Sequence, residues 1–347
     1  MSHPPSPASS PPPAAPSPER ALEARGLHKT FYLGLLAPVP GLKRLPLGPL
    51  HKVIEAVRGV DLSVAPGEVF GLLGANGAGK STTMKMLMGL ISPTRGSAAL
   101  FGRPSREAAA RRGVGFLQEN PVFYDELTPL ELLELLCALH DHPARDRRRH
   151  AQALLARVGM SHAADRPLRR LSKGMHQRVG VAQALIGAPR LIILDEPLSG
   201  LDPLGRREVR DALLEERARG AAIVLSSHIL PDVEALCDRF AMMSAGRVTH
   251  TAHMRDLSAH ITHADLTLRG ASQELKEALG ALGAPPPAHH LRAHKDAWAG
   301  EWATRLPTSA LPEALTRALE GGAEVVEVSP VRLTLEDLFE RQGEGAP

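Results

Sequence analysis

Four short runs of the chain are apolar at successive positions instead of at every second one: Val69–Leu73, Val114–Leu117, Leu191–Leu194 and Ala222–Leu225. A strand with one wet face alternates, whereas a strand buried on both faces does not, so the runs predict a parallel sheet covered by helices. The longest helical pattern lies between the second and third runs. There Leu130, Leu133, Leu136 and Leu139 recur at helical spacing ahead of a basic segment, Arg145–Arg149. This block predicts a helical subdomain over about 119–187, inserted into a sheet domain that spans 21–251. After an expected linker at 252–263 the pattern changes to strand (Asp265–Leu268), helix (Ser272–Leu282), two strands between His290 and Leu306, helix (Ser309–Glu320) and strand (Glu324–Val328). That order suits a small α+β module over 264–342, ferredoxin-like in type. The first eighteen residues carry eight prolines among Ser and Ala, too little apolar surface to repay ordering, and predict a disordered tail over 1–20.

Composition narrows the class. The 347 residues accommodate about two domains, and 31 glycines and 30 prolines stay below the level of low-complexity sequence. No apolar run approaches the roughly 18 residues of a membrane-crossing helix, and the N-terminus lacks a secretion-signal pattern. Two cysteines, Cys137 and Cys237, sit in apolar stretches without Cys-x-x-Cys spacing, which fits a reducing cytosol. The 41 basic residues are nearly matched by 38 acidic ones, leaving a formal net charge of +3, and only 7 Phe, 2 Trp and 2 Tyr are present. Nothing here calls for nucleic acid, and single-strand stacking platforms are poorly supplied.

The chemistry begins at Gly74-Ala75-Asn76-Gly77-Ala78-Gly79-Lys80-Ser81, which follows the first apolar run and opens a helix. Glycines let successive backbone N–H groups turn toward a phosphate, and the helix N-terminus adds positive potential. Lys80 reaches β and γ oxygens, Ser81 suits Mg²⁺, and Thr82 continues the nucleotide-binding segment. After the third apolar run comes Asp195-Glu196-Pro197, where a parallel strand ends and ligands gather. By itself such a pair also suits a helix N-cap. Beside a triphosphate loop, Asp195 stands by the metal and Glu196 polarises the attacking water.

Over about 22–251 the chain resembles the nucleotide-binding subunits of ABC (ATP-binding cassette) transporters, and the following roles are what that resemblance implies. Gln118, after Val114–Leu117, resembles the Q-loop residue and is counted with the catalytic and metal-facing groups. Leu171-Ser172-Lys173-Gly174-Met175 stands in the place of the family signature, Ser199-Gly200-Leu201-Asp202 in that of the D-loop, and His228 in that of the switch histidine. Phe31 resembles the aromatic that stacks on adenine, with Tyr32 beside it as an alternative register. The metal set is then Ser81, Gln118 and Asp195. The resemblance further implies a P-loop NTPase fold and a head-to-tail dimer, homomeric or heteromeric, with ATP between the Gly74 loop of one chain and the Ser172 segment of the other. It implies ATP hydrolysis coupled to transport, with export as the direction, through an integral membrane permease that would hold the chain at the inner face of the membrane. The signature departs from the family's commonest Leu-Ser-Gly-Gly-Gln through Lys173 and Met175, which bears on the efficiency of the site. Physical placement agrees for Ser172 and Gly174, which open a helix, and for His228, which ends a core strand.

Other features read as ordinary surface. His250-x-x-His253 and His260-x-x-His263 lack an adjoining Cys or acidic cluster, and Arg145–Arg149 is interrupted by Asp146, as on a solvated helix face. The Pro- and Leu-rich segment Leu35–Leu50 reads as a surface loop. A soluble ABC ATPase acting on ribosomes or DNA is the alternative from another class. Its usual forms carry two cassettes or long heptad coiled coils, neither of which is present.

Overall fold

The structure, a computed structural model, describes residues 20–33, 52–259, 261–283, 301–332 and 335. The expected tail up to Glu19, the segment Leu35–Leu50 and the end of the last module lie outside the described residues. Two compact units divide at 251/252.

The first unit contains β1 (Leu22–Leu33), β2 (Lys52–Val64), β3 (Val69–Leu73), α1 (Lys80–Leu87), β4 (Arg95–Leu100), β5 (Arg103–Pro104), β6 (Val114–Leu117), α2 (Pro129–Leu139), α3 (Ala144–Arg157) and α4 (Lys173–Ala184). There follow β7 (Leu191–Leu194), α5 (Pro203–Ala218), β8 (Ala222–Ser227), α6 (Leu230–Leu236), β9 (Arg239–Ser244) and β10 (Arg247–His253). Six strands form one sheet in the order β10-β9-β3-β8-β7-β6, and the neighbours from β9 to β6 pair in parallel. Every residue of β3, β7 and β8 is buried, which is why their sequences do not alternate. β6 differs because it is the edge strand: Gly115 and Leu117 are buried while Val114 and Phe116 are half-exposed. Gly115 lets α4 come close, since a Cβ there would lie 1.9 Å from the Ala184 carbonyl oxygen. A second, antiparallel sheet has the order β2-β1-β4-β5.

Register lines up the strand ends that matter. Leu73 pairs with Ser227, and Leu117 with Leu194, so the chain leaves β3, β6, β7 and β8 along one edge of the parallel sheet. That edge is where a doubly wound sheet gathers its ligands.

Within the helical block, α2 begins with a reciprocal capping box between Thr128 and Glu131. The three-residue leucine spacing does not mark its buried face. Leu130, Leu132, Leu133 and Cys137 are buried, whereas Leu139 is 71% exposed. Each three-residue step falls about 60° short of a turn, so Leu139 ends up roughly opposite Leu130.

The second unit holds α7 (Met254–Ala259), β11 (Ile261–Arg269), α8 (Gln273–Gly280), β12 (Glu301–Pro307), α9 (Leu311–Glu320) and β13 (Glu324–Arg332). The span expected as a linker is therefore structured, as the end of β10, α7 and the start of β11. Its three strands are antiparallel in the order β12-β11-β13, and Leu266, Leu268 and Leu306 pack against Leu275 and Leu279 of α8 and Ala314 and Ala318 of α9. Of the two strands expected between His290 and Leu306, one is β12; the stretch 284–300 lies outside the described residues.

Candidate active site

The loop between β3 and α1 is built on glycines that nothing larger can replace. Gly79 has φ +105°, and a Cβ there would stand 2.4 Å from the Ala56 carbonyl oxygen. Gly74 leaves 2.4 Å between such a Cβ and the carbonyl oxygen of Met243. Helix α1 starts at Lys80 with no side-chain cap, so its first N–H groups face the loop opening. Ala75, Asn76, Gly77, Gly79, Lys80, Ser81 and Thr82 line a cleft of about 450 Å³, while Gly74 and Ala78 support it from behind. Glu196 lies on the same wall.

Lys80 is buried, donates to the Gly74 carbonyl oxygen at 2.7 Å and lies 3.2 Å from Glu196 Oε1. The other carboxylate oxygen of Glu196, Oε2, is 2.8 Å from His228 Nδ1. A cation, a carboxylate and an imidazole thus form a row, two of them buried and His228 partly exposed; His228 itself does not line the cleft. Lys80 and Glu196, both buried, hold each other, and Glu196 keeps His228 on its second oxygen.

Asp195 is buried behind the cleft wall, with Oδ1 accepting from Ser226 Oγ at 2.6 Å. The same hydroxyl oxygen accepts the Glu196 N–H at 2.9 Å, so one serine ties both acidic residues to the end of β8. Ser81 lines the cleft; Gln118 instead faces a neighbouring groove and donates from Nε2 to the Asn120 carbonyl oxygen at 3.0 Å. A hydroxyl, a carboxylate and an amide oxygen are hard donors that fit Mg²⁺ by chemistry. Only Ser81 of the three stands on the cleft wall, and Glu119, one residue past Gln118, lines it as well.

Phe31 does not line the cleft. Its ring lies under Lys29 Nζ at 5.1 Å, and Ile54, its partner across β1 and β2, lines the cleft in its stead with Glu55, Ala56 and Arg58. None of these β2 residues stands out in the sequence, because an edge hairpin strand carries no motif.

Ser172, Lys173, Gly174 and Met175 are also absent from the lining of the Gly74 cleft. Ser172 caps α4, its Oγ accepting from the Met175 N–H at 3.2 Å. Gly174 permits the start of α4 to pack on the loop before α5, since a Cβ there would be 2.8 Å from the Gly200 carbonyl oxygen. Asp202 caps α5 by accepting from the Gly205 N–H at 3.3 Å, and Arg178 hydrogen-bonds to its Oδ1. That guanidinium holds the Asp202 carboxyl below the usual aspartate range.

Two residues that carry no motif support the site: Ser226, and Gln177, whose Nε2 donates to the Glu196 carbonyl oxygen at 2.9 Å. The signal for Ser226 was a hydroxyl closing an otherwise apolar buried strand; for Gln177 there was none beyond a polar residue in a helix.

A family model described as ABC transporter matches residues 57–199. The chain is similar to an uncharacterized ABC transporter ATP-binding protein of Synechocystis sp., 37% identical over 295 residues that cover 84% of this chain and 80% of that protein. It is also similar to a fluoroquinolones export ATP-binding protein of Mycobacterium tuberculosis, 40% identical over 197 residues, 56% of this chain and 64% of the relative. Among solved structures, an ATP-binding subunit of an ABC transporter superposes with a TM-score of 0.57 at 32% identity, covering 68% of this chain and 91% of that one.

Proposed function

The chain belongs to the ABC transporter family as one of its ATP-binding proteins, and on that premise we propose that it hydrolyses ATP with Mg²⁺ as a dimer and drives export through a separate membrane permease. The observation that carries this reading is the row Lys80, Glu196 and His228 at the mouth of the Gly74 loop. Lys80 is shared between the Gly74 carbonyl and Glu196. Phosphate oxygens arriving at the loop compete for that ammonium group, which frees Glu196 Oε1 to accept a proton from an attacking water. His228 holds Oε2 and fixes the carboxylate's aim. Ser81 on the cleft wall, with Asp195 buried behind it, would hold Mg²⁺, which would supply charge neutralisation to a bound triphosphate.

The dimer is supported by the Ser172–Met175 segment, which opens α4 away from this chain's own cleft and therefore suits the nucleotide of a second copy. The permease is supported by a groove of about 290 Å³ beside Gln118, lined by Leu90, Phe116, Pro121, Val122 and Phe123. Val122 is 85% exposed there, an apolar side chain without cover. No helix among the described residues is long and apolar enough to cross a membrane. Export, and a place at the cytoplasmic face of the membrane, follow the relative named for fluoroquinolone export and the family resemblance.

The deciding experiment is Glu196→Gln. Turnover is expected to fall about a hundredfold or more while an ATP-bound dimer accumulates on size-exclusion chromatography. Unchanged turnover removes Glu196 from the assigned role. Co-purification from detergent-solubilised membranes should recover one polytopic protein; ribosomal proteins or DNA in its place would shift the reading to a soluble ATPase.

A further inference from the structure

Glu196 stands on left-handed backbone, φ +52°, a conformation that a residue with a Cβ keeps only when its surroundings hold it there. The holding groups are on both sides of the residue. Its N–H donates to Ser226 Oγ at 2.9 Å, and its carbonyl oxygen accepts from Gln177 Nε2 at 2.9 Å. Ser226 Oγ spends its own proton on Asp195, which leaves its oxygen oriented as the acceptor for Glu196.

Gln177 is 2% exposed and belongs to α4, five residues past the cap Ser172. The next residue on that helix, Arg178, reaches Asp202 and lies 2.7 Å from Glu208 Oε2. Successive residues of α4 thus grip the backbone of the carboxylate residue and the start of α5. A glutamine satisfied only as a core polar group could point to any carbonyl; this one points to the single residue whose backbone is strained and whose side chain meets Lys80 and His228.

We infer that Gln177 is a positioning residue for Glu196: through the carbonyl hydrogen bond it keeps the strained peptide in place and so aims the carboxylate into the cleft. The helix that presents Ser172 then also sets the geometry of Glu196 in the same chain. The inference rests on the hydrolytic reading above, and it concerns the aim of the carboxylate and not the binding of nucleotide.

The test uses the full chain, with its permease if turnover requires it, and two substitutions of matched length. Gln177→Met removes the donor, and Gln177→Glu replaces it with an acceptor. Both are expected to lower kcat about ten- to a hundredfold, the scale of a small misplacement at a reacting group, with the Kd of fluorescent MANT-ATP within about twofold of the unaltered chain. The deficit of Gln177→Glu relative to the unaltered chain should shrink between about pH 8 and pH 6, where a buried glutamic acid regains its proton and can donate again. Gln177→Met should show no such recovery. A kcat unchanged in both variants overturns the inference, as does a Gln177→Glu deficit that tracks Gln177→Met at every pH. Should Gln177→Met fail to fold, the pH series on Gln177→Glu and a kcat-only loss in Ser226→Ala decide the matter. If Glu196→Gln leaves turnover intact, the hydrolytic reading itself has failed; if only the Gln177 variants are silent, the positioning role has.

Discussion

In the first unit three buried charges stand at the open edge of a parallel sheet: Lys80 and Glu196 lie 3.2 Å apart on a cleft wall, and Asp195 is held by a serine hydroxyl behind them. In the second unit a buried cation is closed in on a half-buried carboxylate: Arg305 grips both oxygens of Asp265 across neighbouring antiparallel strands, at 2.7 and 3.0 Å. Both arrangements pair opposite charges with little exposure, so burial of charge does not by itself mark a site. What separates them is exchangeability. On the proposed function Lys80 trades its carboxylate partner for a phosphate at the Gly74 loop, whereas a planar guanidinium matched bidentately to a carboxylate has no competing ligand to meet.

The contrast can be broken or sharpened by substitution, and Lys80→Ala carries the largest expected effect. It removes the ammonium group that the proposed function sets against the phosphates and leaves Glu196 with His228 alone, so MgATP affinity should fall about a hundredfold or more in a fluorescent-nucleotide titration. Near-normal affinity would place Lys80 in the same structural class as Arg305. Next, Arg305→Met should leave nucleotide affinity unchanged while costing the second unit about 2 kcal/mol in urea unfolding, because the half-buried Asp265 loses its bidentate partner. A loss of nucleotide affinity in that variant would erase the distinction between the units.

The smallest effect is expected at Asp232 on α6, a charge in the first unit that is poorly matched. Its Oδ2 is buried without a hydrogen bond, and Arg206 Nη1 is 3.7 Å away. Burial pushes its carboxyl above the usual range, aided by the negative charge of Glu196 and opposed by Arg206 and Arg210. The folded state therefore holds this proton more tightly than the unfolded one. That contribution is fully present below the unfolded value, near pH 4, and is lost as pH rises through the raised folded value. At pH 7 the ionised form is a cost, so Asp232→Asn should raise the melting temperature slightly, with the gain vanishing at about pH 4. A gain that persists there would mean packing, and not charge, is responsible.

Legibility in the sequence followed the range of the underlying physics. The continuous apolar runs mark β3, β7 and β8 because burial on both faces is written into every residue of a strand. The glycine spacing of 74–79 marks the loop because a Cβ at Gly74 or Gly79 would run into a backbone carbonyl. The leucine pattern of α2 marks the helix but not its buried face, since a spacing of three drifts around a helix, and Ile54 of the partner strand lines the cleft where Phe31 does not. The span 252–263, polar and rich in His, looks like a connector although it holds α7.

Strand burial, loop glycines and helix starts are local properties of a few consecutive residues, so the residues at the ends of the buried strands are legible in the chain. How those residues meet is set by the packing of the whole unit. The left-handed backbone of Glu196, its clamp between Gln177 and Ser226, and the entry of Ile54 and Arg58 into the cleft depend on contacts between segments 19 to 30 residues apart or on separate sheets. Such contacts leave no local period, since each is satisfied by a single hydrogen bond or side chain whose partner is chosen by the packing of the whole sheet.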